Sequence, residues 1–144
     1  MPRLYLTVLL LGLTGCAVHA PDAAQDDPVR REQELAKSSI WHKAKLRGVA
    51  FRAIGQEPGW LLEIKNGEEI LVVTNYGQNR NLYPYVDPQE DKAARKTVFQ
   101  VDANTRVLIE GMPCSDSMSG ETFQSTVTVT LGAQVLKGCG RALF

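Results

Sequence analysis

Only two histidines occur in the 144-residue chain, His19 and His42, and none follows His42. A nucleophilic serine or cysteine needs a base within hydrogen-bond reach, so most of the chain is without the commonest one. There is no CxxC pair, phosphate loop, dinucleotide fingerprint or cluster at metal-ligand spacing. No cofactor and no metal is therefore expected. Asp87, Glu90 and Asp91 supply oxygens but lack the regular spacing of a calcium loop, and read as a solvated face. Charge of neither sign dominates, with 16 basic against 16 acidic residues. That argues against nucleic acid as a partner, which demands a basic surface. No internal repeat and no sustained helical period is present. The main apolar run, residues 4–13, is about half the roughly 20 residues that a spanning helix needs.

That short run is informative in itself. It follows Met1-Pro2-Arg3 and ends in small residues, which is the build of a secretory signal. Leu13-Thr14-Gly15-Cys16 resembles the bacterial lipobox. The resemblance implies cleavage after Gly15, diacylglycerol on the Cys16 sulfur and acylation of the new amine. Removing the leader takes Arg3 with it and leaves one net negative charge. Several acyl chains at roughly 0.8 kcal/mol per buried CH₂ make such an anchor effectively permanent. Residue 17 is Ala rather than Asp. By analogy with enterobacterial sorting, this directs the protein to the outer membrane, facing the periplasm.

The expected organisation is a signal peptide over 1–15, a lipidated cysteine and tether over 16–45, and one domain over 46–144. The tether mixes Pro21, Asp26-Asp27, Pro28 and Arg30-Arg31 and has little apolar surface to bury. A short helix over 31–37 is only weakly signalled. Cys114 and Cys139 remain as an even pair in an oxidising compartment and are expected to form a disulfide. A metal site or a reactive thiol is the competing reading.

From residue 46 the pattern is period two, so the domain is expected to be mainly β. Trp60, Leu62 and Ile64 alternate with Leu61, Glu63 and Lys65, and Asn66-Gly67 precedes Ile70-Leu71-Val72-Val73. Asn-Gly between such runs predicts a hairpin over 59–75. Residues 76–91 read as a long loop or an irregular edge. Strands follow at 96–101 and 106–110. Thr126-Val127-Thr128-Val129-Thr130-Leu131 is the cleanest strand, with its valines facing the core, and it turns at Gly132-Ala133. If Leu131 opposes Gln134, Cys139 falls opposite Thr126, and Cys114 can reach it. The disulfide would then close the 115–122 loop over one end of the sheet. Short strands with polar turns predict a small antiparallel β-barrel or sandwich, and a barrel is preferred because it exposes fewer edges.

Phe51-Arg52-Ala53-Ile54-Gly55-Gln56-Glu57-Pro58-Gly59-Trp60 resembles the FRAxGxEPxW signature of a family of uncharacterised bacterial envelope lipoproteins. Cys114-Ser115-Asp116-Ser117-Met118-Ser119, with Phe123 and Gly138-Cys139-Gly140, resembles that family's CSDxMS…GCG half. Ser117 stands where the family usually has Gly, and Gly120-Glu121 where Asp-Arg is common. The resemblance implies an envelope setting and no particular reaction.

The candidate binding residues are Glu57, Trp60, Asp116, Ser117 and Arg141. Glu57 is placed to orient Arg52 or Arg141, or to meet a ligand at one end of the barrel. The blander reading makes Trp60 a core anchor and Asp116 a loop brace with its serines. Tyr76, Tyr83 and Tyr85 with Arg80 form a candidate recognition surface. The expected role is non-enzymatic: binding an envelope protein or small ligand, or supporting the envelope. The alternatives are a lysozyme-inhibitor-like protein that binds a cell-wall hydrolase, and a small hydrolase using carboxylates.

Overall fold

The computed structural model describes residues 39–144. The leader, Cys16 with its lipobox, His19 and the weak helix over 31–37 lie outside the described residues. One helix, α1 (Ile40–Leu46), is followed by β1 (Phe51–Gly55), β2 (Trp60–Lys65), β3 (Glu69–Thr74), β4 (Asn79–Pro84), β5 (Gln89–Asp91), β6 (Lys96–Gln100), β7 (Thr105–Glu110), β8 (Cys114–Ser115), β9 (Thr122–Phe123), β10 (Ser125–Leu131) and β11 (Gln134–Ala142). Nine strands form a single antiparallel sheet in the order β4-β3-β2-β1-β11-β10-β7-β6-β5. It curls into a half-barrel whose edges are β4 and β5. β8 and β9 make a separate two-stranded ribbon. No helix among the described residues is long and apolar enough to cross a membrane.

The period-two pattern sets which residues face inward. Ala53, Leu62, Val72, Val107, Val127 and Val129 lie fully buried on the concave face. Phe99, Leu136 and Trp60 complete that core, with Tyr83 and Tyr85 packed against it. The β2–β3 hairpin turns through Asn66-Gly67-Glu68, with Gly67 at φ 73°, a conformation that glycine adopts without steric cost. In the β10–β11 hairpin Leu131 pairs with Gln134 and Thr126 with Cys139, the register expected from the sequence. Cys114 and Cys139 are joined, with their Cα atoms 5.4 Å apart.

Of the two readings of residues 76–91 the structure has the edge and not the long loop: the segment contains β4 and β5, the two edge strands of the sheet. β4 is an edge strand whose residues are all exposed except half-buried Tyr83. A strand that buries almost nothing carries no hydrophobic alternation, so the segment has no period-two signal to detect.

Helix α1 lies on the convex face. Its N-cap is Ser39, whose hydroxyl accepts from the His42 backbone N–H at 3.2 Å. His42 is exposed. Residues 40–45, placed with the tether above, form most of this helix. Ala44 is fully buried, and the Trp41 ring packs on Phe123 at 5.3 Å.

Candidate functional site

Two loops at one end of the half-barrel meet over the disulfide. The first is the β1–β2 turn, residues 56–59. The second runs between β8 and β9, where Cys114 pairs with Phe123 and Ser115 with Thr122. Asp116 organises this second loop. Its Oδ2 accepts from the Ser119 backbone N–H at 2.9 Å and from the Ser119 hydroxyl at 2.6 Å. The Asp116 backbone N–H donates to the Glu121 carbonyl, and its carbonyl accepts from the Gly120 N–H. The Ser119 hydroxyl, then its N–H, hold the Asp116 carboxyl below the usual carboxylate range, with smaller help from Gln56 and Met118.

A group depressed in the folded state stabilises the fold above its unfolded pKa, and that contribution is lost as pH falls through the lower, folded value. Protection of the Ser119 amide from hydrogen exchange is thus expected to hold at pH 7 and to be lost only when pH falls below the usual carboxylate range, through the lower folded value. Asp116→Ala, which removes the acceptor, should give low protection at neutral and at acid pH. Equal protection of wild type and variant at pH 7 would remove the brace.

Between the two loops lies a cavity of about 390 Å³, bordered by Gln56, Glu57, Asp116, Ser117, Lys137 and the disulfide. A second cavity of about 320 Å³ is bordered by Ile54, Gly59, Trp60, Leu61, Val73 and Tyr76. Both share Ile54, Gly55 and Gln56, so they form one groove with a polar half and an apolar half.

Tyr76 forms the outer wall of the apolar half. Asn75 and Tyr76 have φ of 51° and 54°, a region that costs a tyrosine about 1–3 kcal/mol. The Tyr76 N–H donates to the Gly59 carbonyl at 2.9 Å. Its ring covers Gly59 so closely that a Cβ there would lie 2.6 Å from it. Tyr76 as a residue remains 76% exposed. This backbone conformation holds an aromatic face out to solvent at the groove's rim.

The structure sorts the sequence candidates. Glu57, Asp116 and Ser117 share the polar half of the groove. Trp60 is buried behind it as an anchor, and its Nε1–H donates to the Lys137 carbonyl at 3.3 Å. Arg141 lies elsewhere. Its guanidinium stacks on Trp41 at 4.8 Å and Phe123 at 4.5 Å, and pairs with Glu121. Glu57 therefore does not orient the arginines: Arg52 is held by Glu63, Arg141 by Glu121. The tyrosine segment is divided by strand parity. Tyr83 pairs with Ile70 on the core side, whereas Arg80 pairs with Val73 on the convex side.

Glu63 is the polar residue that the alternation alone misplaces. Its position predicts solvent, yet it is buried at 7% exposure. It accepts from Arg47 Nη2 at 2.7 Å and from Arg52 Nη1. Helix α1 covers this convex face, and no period within β2 announces that cover. Burial lowers the Arg52 pKa; Glu63 opposes this and the Arg47 charge adds to it. Among the described residues no three His, Cys, Asp or Glu side chains gather as metal ligands. No family model, curated protein or solved structure matches the chain.

Proposed function

We propose that the chain is an envelope lipoprotein, held at the outer membrane by lipid on Cys16, whose β domain works by binding in the groove described above. The observation that supports binding is the convergence of Glu57, Asp116 and Ser117 on one cavity, continuous with the apolar wall under exposed Tyr76. A concave site with an apolar body and a few placed polar groups suits ligand capture. Its occupant would be an envelope protein segment or small molecule with an apolar part against Tyr76 and a polar part toward Glu57 and Lys137.

Asp116 favours binding over hydrolysis. Its carboxylate is already engaged by Ser119 and held ionised. A carboxylate acid catalyst instead needs its pKa raised. The anchor reading rests on Leu13-Thr14-Gly15-Cys16, and the family resemblance agrees with an envelope setting.

The test places a photocrosslinking residue at Ser117 of the full chain in intact envelopes. A discrete adduct is expected, weakened at least about tenfold by Tyr76→Ala, since a desolvated aromatic anchor commonly contributes about 2 kcal/mol. The same cells should incorporate labelled fatty acid into wild type and not into Cys16→Ser. An adduct indifferent to Tyr76→Ala would remove the groove. Labelling of Cys16→Ser would remove the anchor. Turnover of peptidoglycan or ester substrates that Glu57→Gln abolishes in a folded domain would make the protein an enzyme.

A further inference from the structure

The β10–β11 hairpin turns through Gly132-Ala133, and Leu131 pairs with Gln134. Across a two-residue turn the closing pair exchanges both of its backbone bonds, and bonded and unbonded pairs then alternate along the ladder. Gln134, Leu136 and Gly138 therefore bond to β10. Val135, Lys137 and Cys139 turn their N–H and C=O groups to the other side. Two observations agree with this parity. The Lys137 carbonyl accepts from Trp60 Nε1–H on that side, and Cys139 pairs there with Ile54 of β1.

Strand β1 covers that side only in part. Its register with β11 ends at the Ile54–Cys139 pair. Residues 56–59 then turn the chain back into β2. The first half of β11 thus runs on past β1 as an uncovered edge within the sheet. No strand pairs with Val135 or Lys137 on that side. Among the described residues, no turn or side-chain contact meets the Val135 N–H, the Val135 C=O or the Lys137 N–H.

The other two edges of the sheet are blunted in the usual ways. β4 carries Arg80 and ends in Pro84, and β5 has three residues, two of them acidic. Charge, proline and shortness all discourage pairing. The β11 edge instead presents Val135, a β-branched apolar residue 55% exposed. At Lys137 and Gly138 this edge enters the polar half of the groove, which Glu57 also borders. Neither Lys137 nor Glu57 has an ion-pair partner among the described residues.

We infer that the uncovered half of β11 is a strand-addition site, which takes a short extended peptide segment of an envelope protein in line with β1. Strand addition deepens the binding reading proposed for the groove, and rests on it. The free groups recur at Val135 and Lys137, two positions apart. That is the spacing at which an extended backbone presents its own donors and acceptors. Main-chain bonds of this kind supply affinity, and neighbouring pockets supply specificity. A residue paired with Lys137 shares its face of the sheet, so its side chain is directed to the polar half of the groove.

The test is selection of a display library of short random peptides on the full chain in detergent, with counter-selection on Val135→Pro. Proline removes only the N–H that points away from β10, a change that an edge tolerates, and circular dichroism checks the fold. Peptides that bind wild type at least about tenfold better than Val135→Pro are expected, since an edge bond is lost and its acceptor left unpaired. Lys92→Gln, on the β5–β6 turn, should leave their binding unchanged. A second measurement needs no variant. Selected peptides are synthesised with N-methyl groups on one or the other set of alternate residues. The set facing β11 should weaken binding about tenfold or more, and the other set should leave it intact. Failure to enrich any peptide against Val135→Pro, or equal effects of the two N-methyl sets, overturns strand addition. Binding lost in Tyr76→Ala but kept in folded Val135→Pro retains the groove and also overturns strand addition. Binding indifferent to both substitutions removes the groove as well.

Discussion

Trp60→Ala is expected to destabilise the domain by about 3–5 kcal/mol, the range for truncating a buried large aromatic. Trp60 is buried and packs in the concave core with Ala53, Leu62 and Leu136. Its truncation also removes the hydrogen bond to Lys137 across the β1–β11 seam. Two glycines make room for this ring. A Cβ at Gly138 would lie 2.8 Å from the Trp60 ring and closer still to the Ile54 carbonyl. Backbone cannot rotate away as a side-chain end can, so Gly138→Ala should also destabilise, by about 1–3 kcal/mol or more. Urea denaturation followed by far-ultraviolet circular dichroism measures both. A cost below about 1 kcal/mol for Trp60→Ala would mean that the anchor reading is wrong, since such a value belongs to peripheral positions.

Reduction of the disulfide should have an effect of similar size. Cys114 and Cys139 are separated by 25 positions. Chain-entropy reasoning gives roughly 3.5 kcal/mol for a loop of that length. In a domain near 100 residues this corresponds to a fall in Tm of roughly 15 °C or more. The bond ties the β8–β9 ribbon to β11, which pairs with β1 and β10 in the main sheet. Reduction is therefore expected to release the 115–121 loop first and to widen the polar half of the groove. Thermal melts of the Cys114→Ala/Cys139→Ala variant, beside wild type with and without reductant, check this. A melt unchanged by both treatments would show that the crosslink contributes nothing to stability, whatever its geometry.

Both predictions concern features whose ingredients are visible along the chain. Alternation in 60–65 and 126–131, with glycine-bearing turns, was enough to locate two hairpins and the register that brings Cys139 opposite Thr126. The physical reason is locality: a strand with one buried face must repeat every two residues, and a tight turn fixes its register. The edge strands β4 and β5 were hidden for the complementary reason. They bury little, so hydrogen bonding to a neighbour, and not side-chain pattern, makes them strands.

The candidate site divides in the same way. Glu57, Asp116 and Ser117 were recognisable as unusual polar residues beside Pro58, Gly59 and Cys114, and the disulfide gave a reason for them to sit at one end of the sheet. That Tyr76 joins them, while Tyr83 turns to the core and Arg141 stacks on Trp41, depends on strand parity and on the approach of distant segments.

By itself, then, the sequence determined the β class, the two hairpins and the Cys114–Cys139 pairing, because each follows from local periodicity, turn chemistry or the small number of possible partners. Only the tertiary structure decided that the sheet curls as one half-barrel, that α1 covers the convex face, and that Glu63 is buried between Arg47 and Arg52. These depend on contacts between residues up to about ninety positions apart, such as Phe51 with Ala142, whose energies come from burial and charge at a shared surface and leave no periodic mark in any one segment.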